Sequence, residues 1–284
     1  MKKIPTPLVD DVLFTTEVSK NSSLSRTSYP HLKNALSGVL AGYQNYIDNA
    51  GNALLINSIG VSELLKLGLH KNYNSPPQSL AHIESIRKSS PKICPMCGSP
   101  KTTSLDHLLP KEDYPEFSIF SKNLVPACDC NTKRKTNTKD VRLHARVLHP
   151  YFDSCLLLRQ VTCVISRVTF PEAKIEVICL NPADPMIASL KFHLENVILP
   201  SGLVRWLESQ WSSLVEYPAG IIHTLPHKTI YFPKELRGYL NDSLQRHDRG
   251  YGTPNNWESV FVHGLINSPG IARWIMRLHN QHYV

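Results

Sequence analysis

Between Tyr29 and Ala50 the run HLKNALSGVLAGYQNYIDNA places apolar residues at helical spacing and predicts a first long helix. GVSELLKLGLH predicts a second, with Ser62 at its start. The turn-rich NYNSPPQ separates it from a third, SLAHIESIRKSS, whose basic end complements the helix dipole. Residues 1–28 are polar, rich in Ser and Thr and weakly patterned, and read as a loose arm. TKRKTNTKDVRLHARVL predicts a basic helix with a break near Asn137, and HPYFD a turn with aromatic anchors. VTCVISRVTF and KIEVICL, separated by Pro171-Glu172-Ala173, predict a β-hairpin. Helical periodicity returns in MIASLKFHLENVIL, GLVRWLESQWSSLVEY, KELRGYLNDSLQRH and SPGIARWIMRLHNQH, and RHDRGYGTPNNW reads as a Gly- and Asn-rich loop. Trp206, Trp211, Trp257 and Trp274 lie on or near these stretches, where core packing is a commoner use than an interface anchor. There is no internal repeat and no low-complexity block. The class is α+β: an N-terminal arm and helical region over 1–90, a central module over 91–150, and a hairpin followed by helices over 151–284.

Composition narrows the setting. The chain has 284 residues, 42% of them apolar, enough for a sizeable core without a disulfide framework. Its net charge of +8 favours polyanionic partners such as nucleic acid. MKKIPTPLVDDVLF lacks the apolar run of a signal peptide, and no stretch approaches the ~20 apolar residues of a membrane span. Seven cysteines, an odd number with four clustered, fit thiolates on a metal in a reducing cytoplasm better than a secreted disulfide scaffold.

The chemistry concentrates in CPMCGSPKTTSLDHLLPKEDYPEFSIFSKNLVPACDCN. Cys94-Pro-Met-Cys97-Gly has the form of a zinc knuckle, because two thiolates at this spacing can share one tetrahedral ion and the Gly permits the tight turn. The partner pair is Cys128-Asp-Cys130, tighter than the usual CxxC, which leaves open whether it completes the site. Four packed cysteines are the bland alternative. Between the pairs stand Asp106-His107, side by side before Pro110, then Asn123 ahead of an apolar Leu-Val-Pro-Ala that predicts a second strand. Asn131 directly follows Cys130. On a strand Asp106 and His107 point to opposite faces, so a site using both needs a strand end or a bend. His107 packed in a core, Asp106 in a turn and Asn131 as a helix cap are the structural alternatives. Cys155, Cys163 and Cys179 read as buried free thiols. His144 and His149 read as surface or core residues.

CxxC, Asp-His, Asn-Leu and Cys-Asn-x-Lys in this order, over about residues 94–135, resemble the HNH endonuclease family with its ββα-metal fold. The resemblance implies a structural zinc on Cys94, Cys97, Cys128 and Cys130. It implies His107 as general base, and Asp106 and Asn131 as holders of a catalytic Mg2+ or Mn2+, with Asn131 standing where many members carry a His. Asn123 would brace the hairpin loop through its amide. Lys133, Arg134 and Lys135, followed by Lys139 and Arg142, are expected to meet backbone phosphates, DNA being the default and RNA also open. LPK-x-x-YP, NLVPAC and the later HPYFD are similar to stand-alone bacterial HNH proteins, some of them in anti-phage defence, including nuclease subunits of Septu-type systems. That likeness implies a partner protein such as an ATPase. A non-catalytic zinc-stabilised adaptor for nucleic acid or protein is the rival reading, and a cysteine-based redox protein a third.

Overall fold

The structure is a computed structural model describing residues 1–89, 91–166 and 173–283. It mixes helices with small antiparallel sheets. Four helices come first: α1 (Asp11–Lys20), α2 (His31–Asp48), α3 (Glu63–Asn74) and α4 (His82–Lys88). Ser62 caps α3 as expected, its hydroxyl accepting from the Leu65 N–H. Residues 1–28 are not a loose arm. Asp10 caps α1, and that helix buries Asp11, Thr15, Val18 and Ser19. A buried face that is mostly polar leaves no apolar period to read. The buried Asp11 carboxylate accepts from the backbone N–H and hydroxyl of Ser121 and pairs with Lys122 at 2.7 Å.

Strands β1 (Ser104–His107) and β2 (Leu124–Ala127) pair antiparallel, Ser104 opposite Ala127 and His107 opposite Leu124. Residues 108–123 loop out between them. α5 (Cys130–Arg134) follows at once. The predicted basic helix stops there, because Lys135 turns to φ +57°, outside helical backbone. The remainder folds back as a short hairpin, β3 (Lys139–Asp140) against β4 (Ala145–Arg146).

β5 (Val161–Ser166) and β6 (Lys174–Cys179) form the predicted hairpin pair, and the part of its connection at 167–172 lies outside the described residues. α6 (Ile187–His193) runs through a π-turn and a 3-10 turn into α7 (Leu203–Glu216). The short α8 (Pro218–Ile221), then α9 (Pro233–Tyr251), α10 (Trp257–Asn267) and α11 (Ile271–Asn280) complete the chain. The RHDRGY part of the expected loop is the end of α9. Asn255 and Asn256 in the remaining turn are buried, and the Asn256 side chain caps α10. Among the described residues no helix is long and apolar enough to cross a membrane.

Two apolar cores meet at the β1–β2 pair. Leu105 and Leu124 join Leu32, Tyr43, Tyr46, Leu69, Phe117 and Phe120 on the N-terminal side. Val125 and Ala127 join the four clustered cysteines, Leu207, Trp211, Leu236 and Phe261 on the other. The hairpin is therefore a wall shared by both cores, which fixes its residues from two sides. Trp211 and Trp257 are buried and the half-buried Trp274 and Trp206 pack on them: Trp211 stacks on Trp274 at 4.6 Å, and Trp206 lies 5.6 Å from Trp257.

Candidate functional site

The knuckle Cys94–Cys97 precedes β1 and the pair Cys128, Cys130 follows β2, and the antiparallel pairing of Ser104 with Ala127 brings both to the same open end of the hairpin. All four sulfurs lie within 4.8 Å of one another and all four residues are buried. Cys94 Sγ is 3.7 Å from Cys130 Sγ, and Cys97 Sγ is 3.5 Å from Cys128 Sγ. Zn–S bonds of about 2.3 Å in a tetrahedron set sulfurs about 3.8 Å apart, so the cluster can hold a structural metal such as zinc. The CxC half reaches the site because α5 begins at Cys130, turning that thiol back toward Cys94. Thiols this close cannot all ionise unaided. Hydrogen bonds from neighbouring thiols, Cys130 first, bring Cys128 down to about 6, while the Cys94 and Cys130 thiols are pushed up. A bound cation removes that conflict.

The surroundings are built around this cluster. Gly98 sits at φ +82°, and a Cβ there would lie 2.2 Å from Asn255 O. Trp257 Nε1 donates to Cys97 O at 2.9 Å. His193 from α6 donates through Nε2 to Met96 O at 2.7 Å and accepts the Leu148 N–H at Nδ1. The C-terminal helices thereby clamp the knuckle, a use of His193 and Trp257 that nothing in the local sequence signals.

On the other side of β1 a recess of about 300 Å3 is lined by Asp106, His107, Pro110, Lys111, Asn131 and Arg134, among others. His107 is the last residue of β1, the strand end that two neighbouring functional groups require, and Asp106 and His107 both reach this recess. The His107 ring is 3% exposed and its Nε2 lies 2.8 Å from Ser118 O. A carbonyl can only accept, so Nε2 carries the proton and Nδ1 keeps its lone pair. Nδ1 is 4.0 Å from Asp106 Oδ1. Burial holds the imidazole down at about 4, so it is neutral at pH 7. Tyr73 packs on the ring at 4.3 Å between centroids, and its hydroxyl donates to Leu105 O.

Asn123 is fully buried. Its Oδ1 accepts from Leu109 N at 2.8 Å, and its Nδ2 donates to Leu109 O at 3.0 Å and Phe117 O at 3.3 Å. One amide thus closes the 108–123 loop that carries Ser118. Tyr46 bridges Asn123 Oδ1 and His149 Nε2, and His149 is a core residue pushed down to about 3 by burial.

Asn131 is not the cap of α5: Asp129 holds that position, and Asn131 lies within the first turn. Its Nδ2 donates to His107 O at 3.2 Å, while its Oδ1 accepts from Arg134 Nε at 2.9 Å. Arg134 is 2% exposed and also donates to His107 O, so its guanidinium is committed inside the site and is not the solvent-facing cation the sequence suggests. Lys133 is exposed and pairs with Asp129 at 2.8 Å, and Lys135 is exposed at the recess rim. Lys139 and Arg142 lie on or beside the β3–β4 hairpin rather than on a helix. His144 is exposed, Cys163 is buried, and Cys155 and Cys179 are half-buried.

No family model and no solved structure matches the chain. Protein ea31 of Escherichia phage lambda is 36% identical over 109 residues, 35% of this chain and 36% of its own length. The chain thus spans about a third of the curated relative it matches. That name states no activity, so the reading of the site rests on its geometry.

Proposed function

We propose that the chain is a metal-dependent endonuclease of the HNH type that hydrolyses phosphodiester bonds, with DNA the first substrate and RNA the second. The observation that carries this reading is the His107 ring, buried, neutral, fixed through Nε2 to Ser118 O and left with a free Nδ1 beside Asp106. A neutral imidazole so held can take a proton from the water that attacks phosphorus. Asn123 and Ser118 act as positioning residues, holding that ring at a fixed angle. Arg134 holds the His107 carbonyl and the Asn131 amide together.

Asp106 and Asn131 Oδ1 are the donors for a hard divalent ion, magnesium or manganese. The Asp106 carboxylate is about one-third exposed at the recess. Asn131 Oδ1 keeps a second lone pair beyond the one Arg134 engages. Two protein oxygens suffice for an ion that completes its shell with water and phosphate oxygens. When bound, such an ion supplies Lewis-acid stabilisation of the charge growing on the scissile phosphate. Lys111 and Lys135 on the rim would meet neighbouring phosphates.

A specific observation favours the rival reading, a zinc-stabilised adaptor that binds without cutting: the guanidinium on Asn131 Oδ1 places a positive charge where the ion would sit. Incubating pure protein with plasmid DNA, linear DNA and transfer RNA, with and without added magnesium or manganese, separates the two. Metal-dependent cleavage supports the nuclease, and binding without cleavage under every condition supports the adaptor. Thiolates held on a metal would suit a reducing cytoplasm, and this reading places the chain there. A place in anti-phage defence and an ATPase partner rest on the sequence resemblance alone.

A further inference from the structure

A second charged recess lies far along the chain from His107. Lys234 and Arg237 in the first turns of α9, and Arg273 in the first turn of α11, line one pocket of about 540 Å3 with Pro233, Ser268 and Gly270. Among the described residues no carboxylate lines it: Glu235, the acid of the same turn of α9, is not part of the lining. All three cations are exposed, and among the described residues none is in an ion pair. Three like charges around one recess repel, and an anion placed between them removes that cost.

Directly before Pro233 stand Tyr231 and Phe232, 74% and 63% exposed, the two most exposed aromatic side chains among the described residues. Phe232 holds the N-cap position of α9, so the two exposed aromatic residues directly precede the turn that carries Lys234 and Arg237, outside the lining of the recess itself. Flat apolar rings beside unpaired cations match a strand whose backbone is anionic and whose bases are flat. Two arginines suit phosphate in particular, because each guanidinium offers a fork of donors to two oxygens. An acidic peptide would use the cations and leave the rings in water.

We propose that this surface binds single-stranded nucleic acid, phosphates entering the Lys234–Arg237–Arg273 recess and bases stacking on Tyr231 and Phe232. The choice of ligand class rests on the nucleic-acid reading above, while the surface itself lies outside the His107 site.

The test is fluorescence anisotropy of a labelled thymidine strand of about 20 nucleotides. It uses the full chain carrying His107→Ala with no added divalent ion, so cleavage plays no part. Changing Arg237→Gln and Arg273→Gln together is expected to weaken binding about tenfold or more. The slope of log affinity against log salt should become shallower by about 0.7 for each phosphate that is no longer neutralised. Changing Tyr231→Ala and Phe232→Ala together is expected to weaken strand binding about tenfold and to leave binding of polyglutamate unchanged. Thermal midpoint and metal content report whether each variant is folded. Should the double arginine variant unfold, Lys234→Gln alone is read instead, with about a threefold loss expected. Affinities within twofold of the parent in all variants overturn the proposal, whatever the parent cleaves. Polyglutamate displacing the strand at equal charge, with the aromatic pair without effect, overturns it in favour of an acidic protein partner. Binding that depends on these residues in a chain that never cleaves retracts the endonuclease and leaves this surface standing.

Discussion

The Nε2 of His107 donates to the Ser118 carbonyl at 2.8 Å, so the base-competent nitrogen of the ring is chosen by the backbone of a loop eleven residues away. The expected result in a histidine NMR titration is an imidazole protonated at Nε2 and bare at Nδ1 at pH 7, with a midpoint of about 4. A midpoint near the ordinary ~6.5, or a proton resident on Nδ1, contradicts the arrangement.

That loop depends on Asn123. Replacing it by Ala leaves both backbone groups of Leu109 and the Phe117 carbonyl without this buried partner. Each buried hydrogen bond removed costs about 1–3 kcal/mol, so a loss of about 2–4 kcal/mol is expected after partial rearrangement. Urea unfolding measures it. Asn123→Asp should be no better, since a carboxylate cannot donate to Leu109 O. Stability within about 0.5 kcal/mol of wild type would remove Asn123 from its bracing role.

Acid should destabilise the chain early. His107, His149 and His193 are held by burial at about 4, 3 and 4, below the ordinary value of 6.5. The unfolded chain therefore binds protons that the folded chain refuses. Their contribution is complete above about pH 6.5 and is lost as pH falls toward 4, at up to about 1.4 kcal/mol per pH unit for each ring. Thermal midpoints between pH 7.5 and 4.5 check the sign. A midpoint that rises on acidification over this range contradicts it.

Metal analysis should find one ion per chain on the four clustered thiols. Its removal by a strong chelator should lower the thermal midpoint by ten degrees or more, because structural zinc supplies folding energy directly. Under native conditions alkylation should reach Cys155 and Cys179 before Cys94, Cys97, Cys128 or Cys130. Rapid native alkylation of the four would favour redox chemistry instead.

Asp11 tests the docking of α1. Removing the carboxylate leaves the Lys122 ammonium and the Ser121 N–H and hydroxyl without this partner, a loss of about 2–4 kcal/mol in Asp11→Ala, since Lys122 is partly exposed. The same variant should loosen the 108–123 loop, read as faster amide exchange at Ser121 and Asn123.

The cysteine pairs and Ser62 were legible because their signals are local: thiol spacing along the chain, and a hydroxyl one residue ahead of a helix. The β1–β2 pair was legible from its residue order. α1 was not, since a helix that docks through Asp11, Thr15 and Ser19 shows no apolar stripe. α10 gave no expectation either, because WESVFVHGLIN is apolar on nearly every side and has no solvent face to set a period. Arg134 could be read as basic but not as buried: its partners, the His107 carbonyl and the Asn131 amide, meet it only through the turn of α5 onto β1. The same is true of Ser118, His193 and Trp257, whose work depends on contacts across the fold.

The most direct measurement is the rate of plasmid cleavage by wild type and His107→Ala in added magnesium or manganese, with metal content and thermal midpoint matched. Loss of cleavage by about a hundredfold or more in a chain that keeps its bound ion and its fold is the predicted result. Cleavage at an unchanged rate by His107→Ala would contradict the account at its centre.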